Sequence, residues 1–274
     1  MKKNILCLLL AGVVAGLLGR APAPASAQAA APKNAVLIVG GTVATEILYL
    51  VLEGRLRGDG YSVEFFELPG GGKIDIGQSA AALRVRIKDL LKRSPTRKVD
   101  LITHSQGGIV AKTYLNLIFT DKNTDAAERD GIETVVNLGT PHQGTDLSDP
   151  LTDLVSGLIG CKSTPLPPPC LQLKIGSPLL QKIAARPKPD PIYYTNFVSE
   201  NDKWVTPYMN GIMKECVDRK NAAGETLSCN IIIQKQCPGR FVEHLAMAND
   251  PVVYTGIRNA LQHRKIALNC ALLL

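Results

Sequence analysis

The segment Val99-Asp100-Leu101-Ile102-Thr103-His104-Ser105-Gln106-Gly107-Gly108-Ile109-Val110 constrains this chain more than any other. It begins as a short apolar run through Leu101 and Ile102, the pattern of a buried parallel strand. Past Ser105 the apolar residues fall at helical spacing: Ile109, Val110, Tyr114, Leu117 and Ile118. A strand that turns straight into a helix needs a strained backbone and small neighbours, and Gly107 supplies one. A serine at the apex of such a turn holds its hydroxyl above the sheet. The N-terminus of the following helix brings partial positive charge to the place where an oxyanion would form. Ser-x-Gly alone is a common sequence. Strand, turn and amphipathic helix in that order make Ser105 a candidate nucleophile.

Lys2 and Lys3 precede an apolar run over residues 5–18, and Ala25-Ser26-Ala27 follows. That is a basic start, a core too short to span a bilayer, and a small-residue cleavage site, so residues 1–27 read as a signal peptide and the protein as exported. Cys7 lies inside the apolar run rather than at its end, which argues against a lipid anchor. No later stretch is long and apolar enough to be an integral membrane segment. Loss of Lys2, Lys3 and Arg20 with the leader takes the net charge from +7 to +4. The remaining basic residues are scattered among acids with no basic-aromatic patch, which excludes nucleic acid as an expected partner. The 274 residues less the 27 of the leader leave 247, suited to one large α/β domain over residues 28–274.

Seven cysteines less Cys7 leave six, an even number that predicts three disulfides in an exported protein. Six cysteines allow fifteen pairings, and the expected one, chosen for short closures plus a clamp on the C-terminal tail, is Cys161–Cys170, Cys216–Cys229 and Cys237–Cys270. There is no C-x-x-C and no pair of histidines at helical spacing, so neither a metal nor another cofactor is expected.

In chain order, Ala35-Val36-Leu37-Ile38-Val39 reads as a buried strand ending at Gly40-Gly41-Thr42. A helix follows with Ile47, Leu48, Val51, Leu52 and Leu56 as its apolar positions. Residues 61–66 form the next strand, closed by Pro69-Gly70-Gly71-Gly72, and residues 76–91 a helix. After the central strand and its serine turn, residues 132–138 make another strand that enters Gly139-Thr140-Pro141-His142-Gln143-Gly144. Residues 145–190 break the alternation and read as a cap or lid-like insertion. Leu147, Leu151, Leu154, Val155 and Leu158 outline an amphipathic helix there. A Pro-rich loop flanked by Cys161 and Cys170 follows, then a short helix around Pro178-Leu179-Leu180. Residues 192–198 and 230–233 are strands and residues 252–261 a terminal helix. Strands alternating with helices imply a mostly parallel, twisted sheet covered on both faces, with the functional crevice at the carboxyl ends of the strands.

A serine hydroxyl needs a base to accept its proton, and the base needs an orienting acid. Of the four histidines, His104 sits inside the turn with its side chain directed away by the strand alternation, and His263 lies in a basic tail. His142 occupies the Gly139–Gly144 loop. His244 follows the last predicted strand at the crevice edge and is the leading candidate. Asp202, after the 192–198 strand, is the leading acid, with Glu200 in reserve. An oxyanion hole takes two backbone N–H groups, one from Gln106 and one from the loop after the first strand, where Thr42 comes first and Val43 second.

Four segments carry a resemblance to the α/β-hydrolase superfamily, and within it to secreted bacterial lipases of the small class 2 type. They are residues 36–42, residues 98–108, Leu-Gly-Thr-Pro-His-Gln-Gly-Thr at residues 138–145, and Tyr-Thr-Asn-Phe-Val-Ser-Glu-Asn-Asp at residues 194–202. Glu243-His244-Leu245 and Pro251-Val252-Val253-Tyr254 fit as the histidine region. The resemblance implies an α/β-hydrolase fold, a Ser105–Asp202–His244 triad and oxyanion donors at Thr42 and Gln106. It implies carboxylic-ester hydrolysis, with acylglycerols as substrate at a lipid–water interface. A polyester depolymerase or an acyltransferase would use the same triad, and a secreted lipid-binding module is the non-catalytic alternative. Two positions depart from the family pattern: Gly40 stands where many members have His, and Thr103 where the serine turn usually has Gly or Ala.

Overall fold

Ala35–Val39 (β1) is buried along its whole length, as an apolar run without a polar break requires. In the computed structural model, which describes residues 31–146, 157, 160–185 and 191–272, β1 lies within a six-stranded sheet. Its other strands are Val63–Phe66 (β2), Val99–His104 (β3), Ile132–Leu138 (β4) and Tyr193–Val198 (β5). A small antiparallel hairpin of Arg219–Lys220 (β6) and Thr226–Leu227 (β7) precedes the last sheet strand, Asn230–Ile232 (β8). The order is β2-β1-β3-β4-β5-β8, and every neighbouring pair runs parallel. The strand bearing the serine turn is therefore interior, and its neighbours are β1 and β4.

Alternation along β1 sorts its side chains between two cores. Ala35, Leu37 and Val39 join Leu83, Ile87, Ile109 and Tyr114 on one face. Val36 and Ile38 join Leu52, Leu56, Val253 and Ile257 on the other. The first face is covered by Ile76–Arg93 (α2) and Gln106–Thr120 (α3), the second by Leu50–Gly58 (α1) and Pro251–Leu261 (α8). Short helices Ala126–Arg129 (α4), Pro168–Gln172 (α5), Pro178–Ala184 (α6) and Ile233–Gln236 (α7) complete the described set. The sheet, its parallel connections and its two helical layers are those the sequence predicts. The described residues from Pro32 onward make one compact unit.

Three details differ from the expectation. The helix after β1 does not bury Ile47 and Val51: they are 78% and 50% exposed, and Tyr49, Leu52 and Leu56 face the core instead. The chain enters this region as a 3-10 turn over Glu46–Tyr49 before α1, which rotates the inward stripe away from the one a continuous helix would give. The Pro-rich loop contains α5, begun by Pro168 at a position where proline's missing N–H costs nothing. The β6–β7 hairpin is absent from the expectation because each strand is only two residues long.

All three expected disulfides form, with Cα–Cα separations of 5.5, 6.1 and 5.4 Å for Cys161–Cys170, Cys216–Cys229 and Cys237–Cys270. They fit a protein of an oxidising compartment. Among the described residues no helix is long and apolar enough to cross a membrane. The signal peptide and the Leu147, Leu151, Leu154, Val155 and Leu158 positions lie outside the described residues.

Candidate active site

Ser105 links β3 to α3 with φ 55° and ψ −127°, a conformation L-residues rarely adopt. The glycines around it are required by close backbone approach. A Cβ on Gly107 would lie 2.4 Å from the Gly40 carbonyl oxygen and 2.5 Å from that of Val39, and one on Gly108 would lie 2.0 Å from Thr140 Oγ1. Ser105 N–H donates to Leu138 O at 2.9 Å, which fixes the turn against the end of β4. The serine itself remains partly exposed, at the carboxyl edge of the sheet.

The loops after β5 and β8 bring two further candidates together. His244 Nδ1 donates to Asp202 Oδ2 at 2.7 Å, and both residues are buried. Asp202 Oδ1 accepts the N–H groups of Trp204 and Val205 at 2.8 and 2.9 Å. Burial alone would raise the Asp202 pKa. The charge and hydrogen bond of His244, helped by those two N–H donors, hold it below the usual carboxylate value. With Nδ1 engaged, the Nε2 of His244 is left buried and without a hydrogen-bond partner among the described residues. The Trp204 ring stacks on His244 at 5.0 Å and 9° and also lines the cleft that contains Ser105. A hydrogen bond from Ser105 to His244 is not formed in this geometry; such bonds often tighten only when substrate docks.

The other histidines and the reserve acid are placed elsewhere. His142 is buried with Nε2 3.1 Å from Asn196 Oδ1. His263 contacts Thr134 Oγ1 at 3.0 Å and stacks on Tyr193 at 4.0 Å, near the beginning of β4 and β5 rather than their carboxyl ends. Glu200 borders a separate groove with Gln234 and Arg240. His104 is buried behind His244, and burial pushes its pKa down to about 3, so it is a neutral imidazole with no solvent access.

The oxyanion candidates separate cleanly. Val43 N–H donates to Gly71 O at 2.9 Å and is therefore committed, whereas Thr42 N–H has no such acceptor among the described residues. Val43 is itself held at φ 51°, so a β-branched residue in the left-handed region shapes this loop. The Thr42 hydroxyl donates to Gln106 Oε1, and Gln106 Nε2 donates to Gly72 O at 2.9 Å. One side chain thus ties Thr42 to the start of α3 and to the Pro69–Gly72 turn.

Both departures from the family pattern have a local cause. A Cβ on Gly40 would meet the tip of the Phe65 ring at 2.8 Å, so a larger residue there requires that ring to move. Thr103 donates its hydroxyl to Asn137 Oδ1 at 2.6 Å, beginning a buried ladder across the sheet. Asn137 Nδ2 donates to Asn196 Oδ1 at 2.6 Å, and Asn196 Nδ2 to Asn230 Oδ1 at 3.2 Å. Each polar group that Thr103 brings into the core is thereby satisfied.

A cleft of about 580 Å³, counted to its open mouth, runs from Ser105, Thr42 and Gln106 toward Leu173, Val205, Pro167, Pro169 and the Cys161–Cys170 disulfide. Beyond Thr42 and Trp204 a wider groove opens over Val43, Ile47, Leu48 and Leu245. Sequence reasoning missed Trp204 and the disulfide as site residues, because nothing in their local spacing points toward Ser105.

Residues 81–155 match the model of the PGAP1-like alpha/beta domain, a stretch that contains β3, Ser105, α3 and β4. Over 105 residues, 38% of this chain, the sequence is 29% identical to triacylglycerol lipase 2 of Saccharomyces cerevisiae, and the matched stretch is 30% of that protein's length. Aspergillus fumigatus lipase B superposes with a TM-score of 0.62 at 16% identity, over 86% of this chain and 53% of that one. This is the α/β-hydrolase fold. The propeptide form of a Bacillus licheniformis lipase, BlEst2, also superposes, with a TM-score of 0.58 at 17% identity, over 88% of this chain and 53% of its own. A Listeria innocua protein superposes over 85% of this chain and 95% of its own, with a TM-score of 0.54 at 11% identity. Ser105, Asp202 and His244 follow β3, β5 and β8 at the carboxyl edge of this sheet.

Proposed function

We propose that this protein is an exported serine hydrolase of carboxylic esters, acting through Ser105, His244 and Asp202. The observation that carries the reading is the buried Asp202–His244 pair, whose remaining nitrogen has no partner among the described residues and whose ring stacks on Trp204, a wall of the cleft lined by Ser105, Thr42 and Gln106. His244 Nε2 accepts the Ser105 proton as Oγ bonds to the ester carbonyl carbon. The N–H groups of Thr42 and Gln106 hold the oxygen that gains charge. The tetrahedral intermediate then expels the alcohol, which leaves with the proton carried by His244. Water repeats the sequence on the acyl-Ser105 ester and releases the acid. Asp202, held ionised by His244 with help from its two N–H donors, keeps Nδ1 protonated and stabilises the imidazolium.

Acylglycerols are the substrate class we favour. The cleft is lined mainly by apolar and proline residues, suited to an acyl chain. In the adjoining groove Val43, Ile47 and Leu245 are all at least 36% exposed, an apolar border that suits a lipid–water interface. The likeness to lipases in fold supports the same choice.

Ser105→Ala tests the assignment. The variant should retain the wild-type unfolding transition and lose turnover of p-nitrophenyl butyrate and of tributyrin emulsion by at least about 10³-fold. Turnover near the wild-type rate would overturn it.

A further inference from the structure

The histidine that precedes the nucleophile has no place in the mechanism above, yet it is among the most enclosed polar residues of the protein, 1% exposed. Its two ring nitrogens both have partners. Nε2 lies 3.1 Å from the main-chain oxygen of His244, and Nδ1 lies 2.9 Å from the Tyr49 hydroxyl. Tyr49, fully buried, also receives the Gly41 N–H at 3.1 Å. The His104 and His244 rings are 4.8 Å apart.

Each link in this chain has a forced direction. A carbonyl only accepts, so His104 must carry its proton on Nε2 to bond His244. Burial keeps the ring neutral, with a pKa of about 3, so Nδ1 is bare and must accept. The Tyr49 hydroxyl therefore donates to Nδ1, and its oxygen accepts from Gly41. The sequence of donors is Gly41 N–H, Tyr49 O–H, His104 Nε2–H, ending on the His244 carbonyl. Gly41 immediately precedes the Thr42 donor of the oxyanion hole, and the chain ends on the backbone of the proton acceptor.

We infer that Tyr49 and His104 are positioning residues that hold the oxyanion loop and the His244 loop in register behind Ser105. The bonded residues are far apart in the chain: 55 residues separate Tyr49 from His104 and 140 separate His104 from His244. Two directed hydrogen bonds at a rigid, planar ring fix the spacing between them. The inference rests on the ester-hydrolase reading of the site.

The test compares the wild type with Tyr49→Phe, His104→Leu, His104→Gln and the double variant Tyr49→Phe/His104→Leu, with Ser105→Ala as the reference for that reading. Each full-length, disulfide-intact protein is assayed for kcat and KM on p-nitrophenyl butyrate, and its thermal unfolding is followed by circular dichroism. Tyr49→Phe, nearly isosteric, should lower kcat about tenfold with KM unchanged. His104→Leu should lower kcat about 10²-fold. The amide of His104→Gln presents one acceptor and one donor, so it should restore kcat to within several-fold of the wild type. The double variant should be no slower than His104→Leu, because both changes break one chain. Wild-type kcat in a folded Tyr49→Phe overturns the inference, as does a His104→Gln no better than His104→Leu. If His104→Leu does not fold, Tyr49→Phe and His104→Gln decide alone. Turnover that survives in Ser105→Ala strikes down the ester-hydrolase reading itself. Its loss there, with unchanged kcat in Tyr49→Phe, strikes down only the bridge.

Discussion

Replacing Asp100 by asparagine should make this protein more stable at alkaline pH, by an amount the structure sets. Asp100 lies near the start of β3, away from the carboxyl edge of the sheet, and is 2% exposed. Its Oδ1 accepts from Asn34 Nδ2 and from Thr134 N–H, both at 3.1 Å. Asn34 Nδ2 also donates to Glu133 Oε2 at 2.7 Å, which places a second carboxylate close by. Burial first, and the Glu133 charge second, push the Asp100 pKa from 3.8 up to about 7 against the pull of its two donors. The folded protein therefore holds the Asp100 proton more tightly than the unfolded chain does. Its contribution to stability is complete below pH 3.8, declines as pH rises through that window, and is gone above about pH 7. About three pH units at roughly 1.4 kcal/mol each amount to about 4 kcal/mol. Asparagine resembles the protonated acid and keeps an acceptor for both donors, with no charge to bury. Urea unfolding of the disulfide-intact wild type and Asp100→Asn, run from pH 4 to pH 8, measures the effect. Their difference cancels the titration of the other groups, including His104, whose lowered pKa costs stability as pH falls below 6.5. Near pH 4 the two proteins should match, and at pH 8 the variant should lead by about 4 kcal/mol. A difference that does not change with pH, or a variant less stable at pH 8, would refute the argument.

Two further outcomes follow from packing and topology. Gly108→Ala drives a methyl into Thr140, whose Oγ1, Cγ2 and Cβ lie 2.0, 2.5 and 2.8 Å from it, and should cost about 3 kcal/mol. Adding Thr140→Ala removes the two nearest atoms and should recover part of that loss, a non-additivity visible in urea unfolding midpoints. Replacing Cys237 and Cys270 by serine opens a loop with a sequence separation of 33 and should cost about 4 kcal/mol by chain entropy, read as a lower thermal midpoint with the Cys161–Cys170 pair intact.

Much of the architecture was legible from local pattern. β1 and β4 are apolar runs bounded by turn residues, and their limits coincide with the expected ones. The serine turn is legible because three requirements coincide within a few residues: a buried strand, small residues at Gly107 and Gly108, and a helical stripe. The meeting of Asp202 with His244 follows from chain order, since their loops leave neighbouring parallel strands at the same edge. Ile47 and Val51 show where local pattern fails. Both obey helical spacing with Leu48 and Leu52, yet the turn at Glu46–Tyr49 faces them toward solvent. The hydrophobic stripe is wide enough for two orientations, and only the fit of Tyr49 against Phe65 and His104 selects one.

By itself, then, the sequence determined the parallel sheet, the strained serine turn and the edge on which the candidate residues gather. These depend on periodicity, on glycine at close backbone contacts and on the order of loops along the chain. Tertiary structure decided which N–H of the Gly41–Val43 loop is left unengaged, why Gly40 and Thr103 suit their places, and what His104 touches. Those outcomes rest on hydrogen bonds between residues far apart in the chain, such as Val43 with Gly71, Thr103 with Asn137 and His104 with His244. A hydrogen bond depends on angstrom-scale distance and direction, and neither exists until the core has brought the strands into register.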